Sequence, residues 1–180
     1  MTGIITGKTK IYCIIGYPTE HSFSPRLHNA VFAALNMDAR FVAFSVKPDQ
    51  LGEALTGLKA LNVAGFNVTV PHKSSVIPYL DEITPLAKKI GAVNTIRNEQ
   101  GILIGTNTDI SGFIRSLENL NFSPKTKSIA LLGAGGAARA LVAGLADAGT
   151  SRILIHNRTV EHAENLLTEF SPIFPQTQLK

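Results

Sequence analysis

Ser128-Ile129-Ala130-Leu131-Leu132-Gly133-Ala134-Gly135-Gly136-Ala137-Ala138 passes from an apolar run, through a glycine turn, into an alanine-rich stretch. Ser128–Leu132 has the length and apolar content of a short strand. Beyond the turn, Ala138, Leu141, Val142 and Leu145 recur at the spacing of one helical face, and Gly149 supplies a C-terminal stop. A second apolar run, Arg152–His156, is followed by Ala163, Leu166, Leu167 and Phe170 in helical register. Strand, helix, strand, helix in that order predicts a parallel sheet with helices on its faces.

The turn itself fits G-x-G-x-x-G/A, with Ala138 in the third slot. The first glycine permits a tight strand-to-helix turn, the second lets a pyrophosphate approach the backbone, and the third position must be small for helix–strand packing. The helix N-terminus offers free N–H groups and a partial positive charge to phosphates. Gly133, Ala134, Gly135, Gly136 and Ala137 are therefore candidate cofactor contacts, although glycines also serve ordinary turns. At the end of the second strand a carboxylate would select NAD, whereas arginine accommodates the 2′-phosphate of NADP. This chain has Asn157-Arg158-Thr159 there, with no acid before Glu161. Arg158 can grip a phosphate bidentately and stack on an adenine, which favours NADP. In the plainer alternative, Arg158 is a surface residue and Thr159 a helix cap.

Working upstream, Lys10–Ile15 reads as a strand ended by Gly16-Tyr17-Pro18, and Pro25 to Asn36 as a helix. Leu27, Ala30, Val31, Ala34 and Leu35 form its expected apolar face. Phe41–Val46 is a predicted strand, Leu51–Leu61 a helix and Val63–Val70 a strand. Two short helical pieces follow (Pro71–Leu80 and Glu82–Ile90), then a hairpin of Ala92–Asn98 and Ile102–Gly105, and a connector helix over Ile110–Leu120. The fold class is α/β: a first domain over residues 1–109 with a mostly parallel sheet, then an incomplete Rossmann-type domain over 110–180.

Composition sets the outer limits. The 180 residues are 44% hydrophobic and 17% charged, enough for a packed core and unlike a disordered chain. Absence of a long apolar run and of a signal-peptide pattern argues against a membrane span and for a cytoplasmic protein. A single cysteine, Cys13, excludes an intrachain disulfide, and no His/Cys/acid triplet has metal-ligand spacing. The net charge of +4, without a basic run, suits a small anionic ligand at least as well as nucleic acid.

Four segments put small polar groups, a lysine and an aspartate at predicted strand ends: His21–Pro25, Asn67–Lys73, Ala92–Thr95 and Asn107–Asp109. Ligands of open α/β sheets gather beyond the carboxyl ends of strands. Hydroxyls and amides suit a polyhydroxylated substrate, and Lys73 a carboxylate or a proton-accepting oxygen. Each residue also has a structural reading: Ser24 and Asp109 as helix caps, Lys73 as a solvated lysine.

Gly16-Tyr17-Pro18-Thr19-Glu20-His21-Ser22-Phe23-Ser24-Pro25-Arg26-Leu27-His28-Asn29 resembles the opening signature of shikimate dehydrogenases. Gly65–Lys73, Gly91–Thr95, Gly105–Asp109, the glycine turn with Arg139-Ala140, and Asn157-Arg158-Thr159 follow in that family's order. The resemblance runs from about Gly16 to Phe170. It implies NADPH-dependent reduction of 3-dehydroshikimate to shikimate, in aromatic amino-acid and chorismate biosynthesis. It places Ser22, Ser24, Thr69, Lys73, Asn94 and Asp109 at the substrate, with Lys73 and Asp109 as the catalytic pair. It makes residues 1–109 the substrate domain and implies a monomer or homodimer without nucleic-acid or membrane partners.

Two features depart from the family pattern. The second basic residue after Asn-Arg-Thr is replaced by His162, so the phosphate clamp is expected to tighten at pH 6 relative to pH 8. The second mononucleotide half of the cofactor fold is also missing, which implies a C-terminally truncated chain. Two alternatives follow: a quinate/shikimate dehydrogenase accepting NAD, or a noncatalytic shikimate-binding fragment.

Overall fold

The computed structural model describes residues 4–180 and divides the chain into two compact units. The first comprises residues up to Thr84 together with Val93–Thr106; the second comprises Pro85–Ala92 and Asn107–Lys180. The division differs from a single cut after Asp109 chiefly in the short segment Pro85–Ala92.

In the first unit, β1 (Lys10–Gly16), β2 (Ala39–Ser45), β3 (Gly65–Val68), β4 (Glu82–Ile83), β5 (Thr95–Glu99) and β6 (Ile102–Thr106) form one sheet in the order β2-β1-β3-β5-β6-β4. β1 pairs in parallel with both β2 and β3, β4 pairs in parallel with β6, and β5 runs antiparallel to its neighbours. Of the apolar face expected at Leu51, Ala54, Leu55, Leu58 and Leu61, helix α2 (Leu51–Ala60) buries Leu51, Leu55 and Leu58 and leaves Leu61, just past its end, 79% exposed. Cys13 is fully buried on β1, and burial pushes its thiol up to about 12, so it is a core residue and no nucleophile.

Helix α1 (Ser24–Ala34) turns a different face inward from the expected one. Leu27 and Leu35 are each 64% exposed, while Phe32 is buried with Ile14, Ala39 and Phe41. The reason lies one residue along the helix, a rotation of about 100°. His28 stacks on Phe41 at 4.2 Å. Asn29 donates from Nδ2 to the Pro25 and Phe41 carbonyls, both at 2.8 Å, and accepts the Phe41 N–H at 2.9 Å. A side chain satisfying three backbone groups outweighs the burial of a leucine on the neighbouring stripe.

The expected helix over Pro71–Leu80 is reduced to turns and a single 3-10 turn, Ile77–Tyr79, and Glu82–Ile83 is strand rather than helix. Asp81 organises this edge: its carboxylate accepts the Leu103 N–H at 2.7 Å and pairs with Lys59 at 3.0 Å. The Leu103 bond, and after it Lys59, holds the Asp81 carboxyl below its ordinary value of 3.8. Burial lowers His28 below 6.5. Both folded groups bind protons less readily than their unfolded counterparts, so both contributions are complete above those ordinary values and fade as pH falls through the folded ones. Thermal melts should therefore show a decline beginning below about pH 6.5 that His28→Gln removes, and a second below about pH 4 that Asp81→Asn removes. Unchanged slopes in these variants would contradict the assignment.

In the second unit, β7 (Ser128–Leu132), β8 (Arg152–His156) and β9 (Gln178–Leu179) form a parallel sheet in the order β7-β8-β9. Helices α4 (Asp109–Asn119), α5 (Gly136–Asp147) and α6 (Val160–Phe170) supply the remaining elements. Val142, Leu145, Ile153, Leu166 and Phe170 form the core, with Ile110, Phe113 and Leu117 of α4 packed against it. β9 gave no periodic signal; two residues are too few for one. It is placed by backbone pairing, the Ile155 N–H reaching the Lys180 carbonyl at 2.6 Å.

Helix α3 (Pro85–Ile90) joins this unit because Ile90 and Ala92 lie in its core. Arg139 bolts it there. Its Nε donates to the Ile90 carbonyl at 2.6 Å, its Nη2 pairs with Glu169, and its guanidinium lies 5.0 Å from the Phe170 ring centre. Gly91 has φ +62°, and a Cβ there would stand 2.8 Å from Arg139 Nη2. The left-handed conformation requires glycine, and a Cβ would also displace the guanidinium.

Candidate active site

β1, β3 and β6 run in one direction and β5 in the other, so the ends of the first three and the start of β5 share one edge of the sheet. At this edge the chain around Gly16 meets the one leaving β3. The Thr69 N–H donates to the Ile15 carbonyl at 2.9 Å and the Tyr17 N–H to the Val70 carbonyl at 2.9 Å. A Cβ on Gly16 would come within 2.3 Å of Thr69 Cγ2, so glycine permits the crossing that holds Thr69 in place. Lys73 is half-buried and its carbonyl accepts the Val93 N–H at 2.7 Å. Asn94 is buried; its carbonyl accepts from Val68 at 2.8 Å and its Oδ1 from the Thr95 hydroxyl at 2.9 Å. Asn67, quoted in its motif but not singled out as a site residue, donates to the Asn94 carbonyl at 3.3 Å and to Thr95 Oγ1 at 3.1 Å. An asparagine inside a short buried strand, where it is a poor β-former, was the signal available for it.

Ser22 and Ser24 lie half-buried on the loop leading into α1. Ser24 is the first helical residue and its hydroxyl makes no capping bond; instead Ser22 Oγ accepts the Ser24 N–H at 3.3 Å. The second unit repeats this arrangement. Asp109 opens α4, with Thr108 in the capping place, and Asn107 Oδ1 accepts the Asp109 N–H at 2.9 Å. Asn107 Nδ2 also donates to the Ala92 carbonyl at 3.2 Å. The expected caps thus belong to the residues two positions upstream, which form serine and asparagine turns.

The first unit therefore brings Ser22, Ser24, Thr69, Lys73 and Asn94 to segments at a single sheet edge, and the second unit carries Asp109 at the head of α4. A separate groove of about 500 Å³, lined by residues including Tyr12, His28, Phe66, Asn67 and Thr95, contains none of these five. Among the described residues, no cluster of His, Cys, Asp or Glu could hold a metal ion.

In the second unit Gly133 has φ +115°, and its N–H donates to the His156 carbonyl at 2.8 Å. Asn157 braces the turn, accepting the Ala134 N–H at 3.1 Å and donating to the Thr159 carbonyl at 2.7 Å. A Cβ built on Gly133 or Gly135 would meet no protein atom within 4 Å. At Gly133 the positive φ itself requires glycine; at Gly135 neither packing nor φ accounts for the small residue, whereas the approach of a ligand to the backbone does. The residues present thus fit a dinucleotide phosphate at the α5 N-terminus. Arg158, Thr159 and His162, which follow Asn157 in the sequence, are exposed, and Thr159 makes no side-chain capping bond.

Comparison with known proteins matches residues 14–96 to the shikimate dehydrogenase substrate binding domain and residues 116–179 to the shikimate / quinate 5-dehydrogenase family. The chain belongs to the shikimate dehydrogenase family. It is 51% identical over 175 residues to the shikimate dehydrogenase (NADP(+)) of Geobacter metallireducens, covering 97% of this chain and 61% of that protein. The crystal structure of shikimate dehydrogenase from Aquifex aeolicus superposes with a TM-score of 0.90 at 42% identity, covering 98% of this chain and 64% of the other. Shikimate 5-dehydrogenase from Thermus thermophilus, in complex with NADP(H) and shikimate, gives 0.83 at 32% identity, covering 95% and 62%. The chain thus spans about three-fifths of the length of these shikimate dehydrogenases. Among the described residues, no helix is long and apolar enough to cross a membrane.

Proposed function

We propose that this chain binds shikimate at the sheet edge of its first unit and NADP at the glycine turn of its second, for reversible reduction of 3-dehydroshikimate to shikimate. The observation that carries this reading is the convergence of five polar residues from three segments on one sheet edge of the first unit, in a chain whose second unit is built around a dinucleotide turn. Ser22, Ser24, Thr69 and Asn94 offer hydroxyls and an amide to a ring bearing several hydroxyl groups. Gly133, Ala134, Gly135, Gly136 and Ala137 would receive the pyrophosphate, and Asn157, Arg158, Thr159 and His162 the adenosine 2′-phosphate.

When bound, NADPH supplies hydride to the substrate carbonyl carbon. Negative charge then grows on the carbonyl oxygen, where the Lys73 ammonium stabilises it and delivers a proton. The role of Asp109 is to orient the lysine as its carboxylate partner. In the reverse direction the same pair receives the proton of the hydroxyl. The reading includes cytoplasmic residence, a monomer or homodimer, and no nucleic-acid partner.

The test mixes the chain with shikimate and NADP+, following NADPH absorbance while calorimetry measures shikimate binding. Binding with NADPH formation is expected. Binding without NADPH formation would make the chain a noncatalytic shikimate-binding module, the second reading. Equal rates with NAD+ would indicate the NAD-accepting quinate/shikimate type, and absence of shikimate binding would overturn the reading.

A further inference from the structure

His72, between Pro71 and Lys73, is fully buried, and its Nε2 lies 2.7 Å from the Val46 carbonyl oxygen. A carbonyl only accepts, so Nε2 carries the proton and Nδ1 is left as an acceptor. Among the described residues, Nδ1 has no hydrogen-bond partner. A buried acceptor without a partner costs stability, and a phenyl ring would fill the same space without that cost. The imidazole contributes one thing a hydrocarbon ring cannot: a donor for Val46.

That donor sits where three strand ends meet. The Val46 N–H donates to the Gly16 carbonyl at 2.8 Å, so His72 grips a residue already tied to the end of β1. The His72 N–H donates to Thr69 at 2.9 Å and its carbonyl accepts from Val76 at 2.9 Å, which fixes the turn that presents Lys73. On the far side, Val93 holds the Lys73 carbonyl at 2.7 Å. The backbone of Lys73 is thus clamped between the Val93 amide and the His72 imidazole.

We infer that His72 is a positioning residue, its Nε2–H bond to Val46 fixing the segment from which Lys73 acts. The inference rests on the proposed role of Lys73, but its structural half is measurable without any ligand. The comparison is wild type, His72→Phe, which keeps the ring and removes the donor, and His72→Gln, whose amide nitrogen replaces Nε2. Exchange of the Val93 amide hydrogen is expected to speed at least tenfold in His72→Phe and to recover in His72→Gln, with the Leu103 amide unchanged in both. The rate of shikimate oxidation should fall at least tenfold in kcat for His72→Phe, with KM changed less, and recover in His72→Gln.

Wild-type exchange in His72→Phe, or equal acceleration in both variants, would overturn the inference. If wild type fails to bind or oxidise shikimate, the proposed function falls, whereas the exchange series still decides the clamp. Should His72→Phe not fold, nitrogen NMR of wild type decides: the Nε2–H tautomer supports the clamp, and the Nδ1–H tautomer overturns it.

Discussion

Replacing Lys73 with alanine is expected to slow NADP+-dependent oxidation of shikimate at least a hundredfold, about 2.7 kcal/mol of barrier. In the proposed mechanism the alanine variant loses both the cation facing the developing oxyanion and the proton carrier, which act on the same atom in the same step. Its fold should survive, because what Lys73 contributes to the backbone network is its carbonyl, accepting the Val93 N–H, and alanine retains it. The loss should therefore fall on kcat, with the melting temperature little changed. Turnover within tenfold of wild type, about 1.4 kcal/mol, would remove Lys73 from the chemistry.

The second large effect concerns the cofactor. Arg158→Ala is expected to weaken NADP+ binding about thirtyfold while leaving NAD+ nearly unaffected, since only the former carries the 2′-phosphate. Charge-assisted hydrogen bonds contribute roughly 1.5–3 kcal/mol each, and an exposed site such as this one lies toward the lower end. Asn157 is a poorer probe of the same question. Its side chain bonds Ala134 and Thr159, so Asn157→Ala would disturb the glycine turn and weaken both cofactors together. Parallel titrations of the two variants with NADP+ and NAD+ separate phosphate recognition from maintenance of the turn. Equal loss of both cofactors in Arg158→Ala would contradict the assignment.

The second unit was legible because its signals are local. A strand, a glycine turn and a helix occupy consecutive residues, and each obeys its own period. The first unit depended more on contacts distant in sequence. Asn29 meets Phe41 and turns α1 by one position, and the periodicity of leucines cannot register that. Asp81 meets Leu103 and draws Glu82–Ile83 into the sheet instead of a helix. Pro85–Ala92 belongs with the second unit through Arg139, whose partner carbonyl lies 49 positions earlier in the chain. The candidate residues were legible as motifs, but their supports were not. Asn67, Asn107 and Gly16 act through neighbours that only the folded sheet edge or the α4 start supplies. The capping roles expected for Ser24 and Asp109 moved to Ser22 and Asn107 because turn geometry places the acceptor two residues before the helix.

In the proposed mechanism the residue 73 ammonium and the residue 109 carboxylate serve one proton transfer. A double-mutant cycle tests it most directly, using shikimate oxidation rates of Lys73→Ala, Asp109→Ala and the double variant. Groups that work as a unit are non-additive, so the double variant should be no more than about threefold slower than the slower single variant. Losses that multiply, so that two hundredfold effects become about ten thousandfold, would show two independent roles and contradict the account.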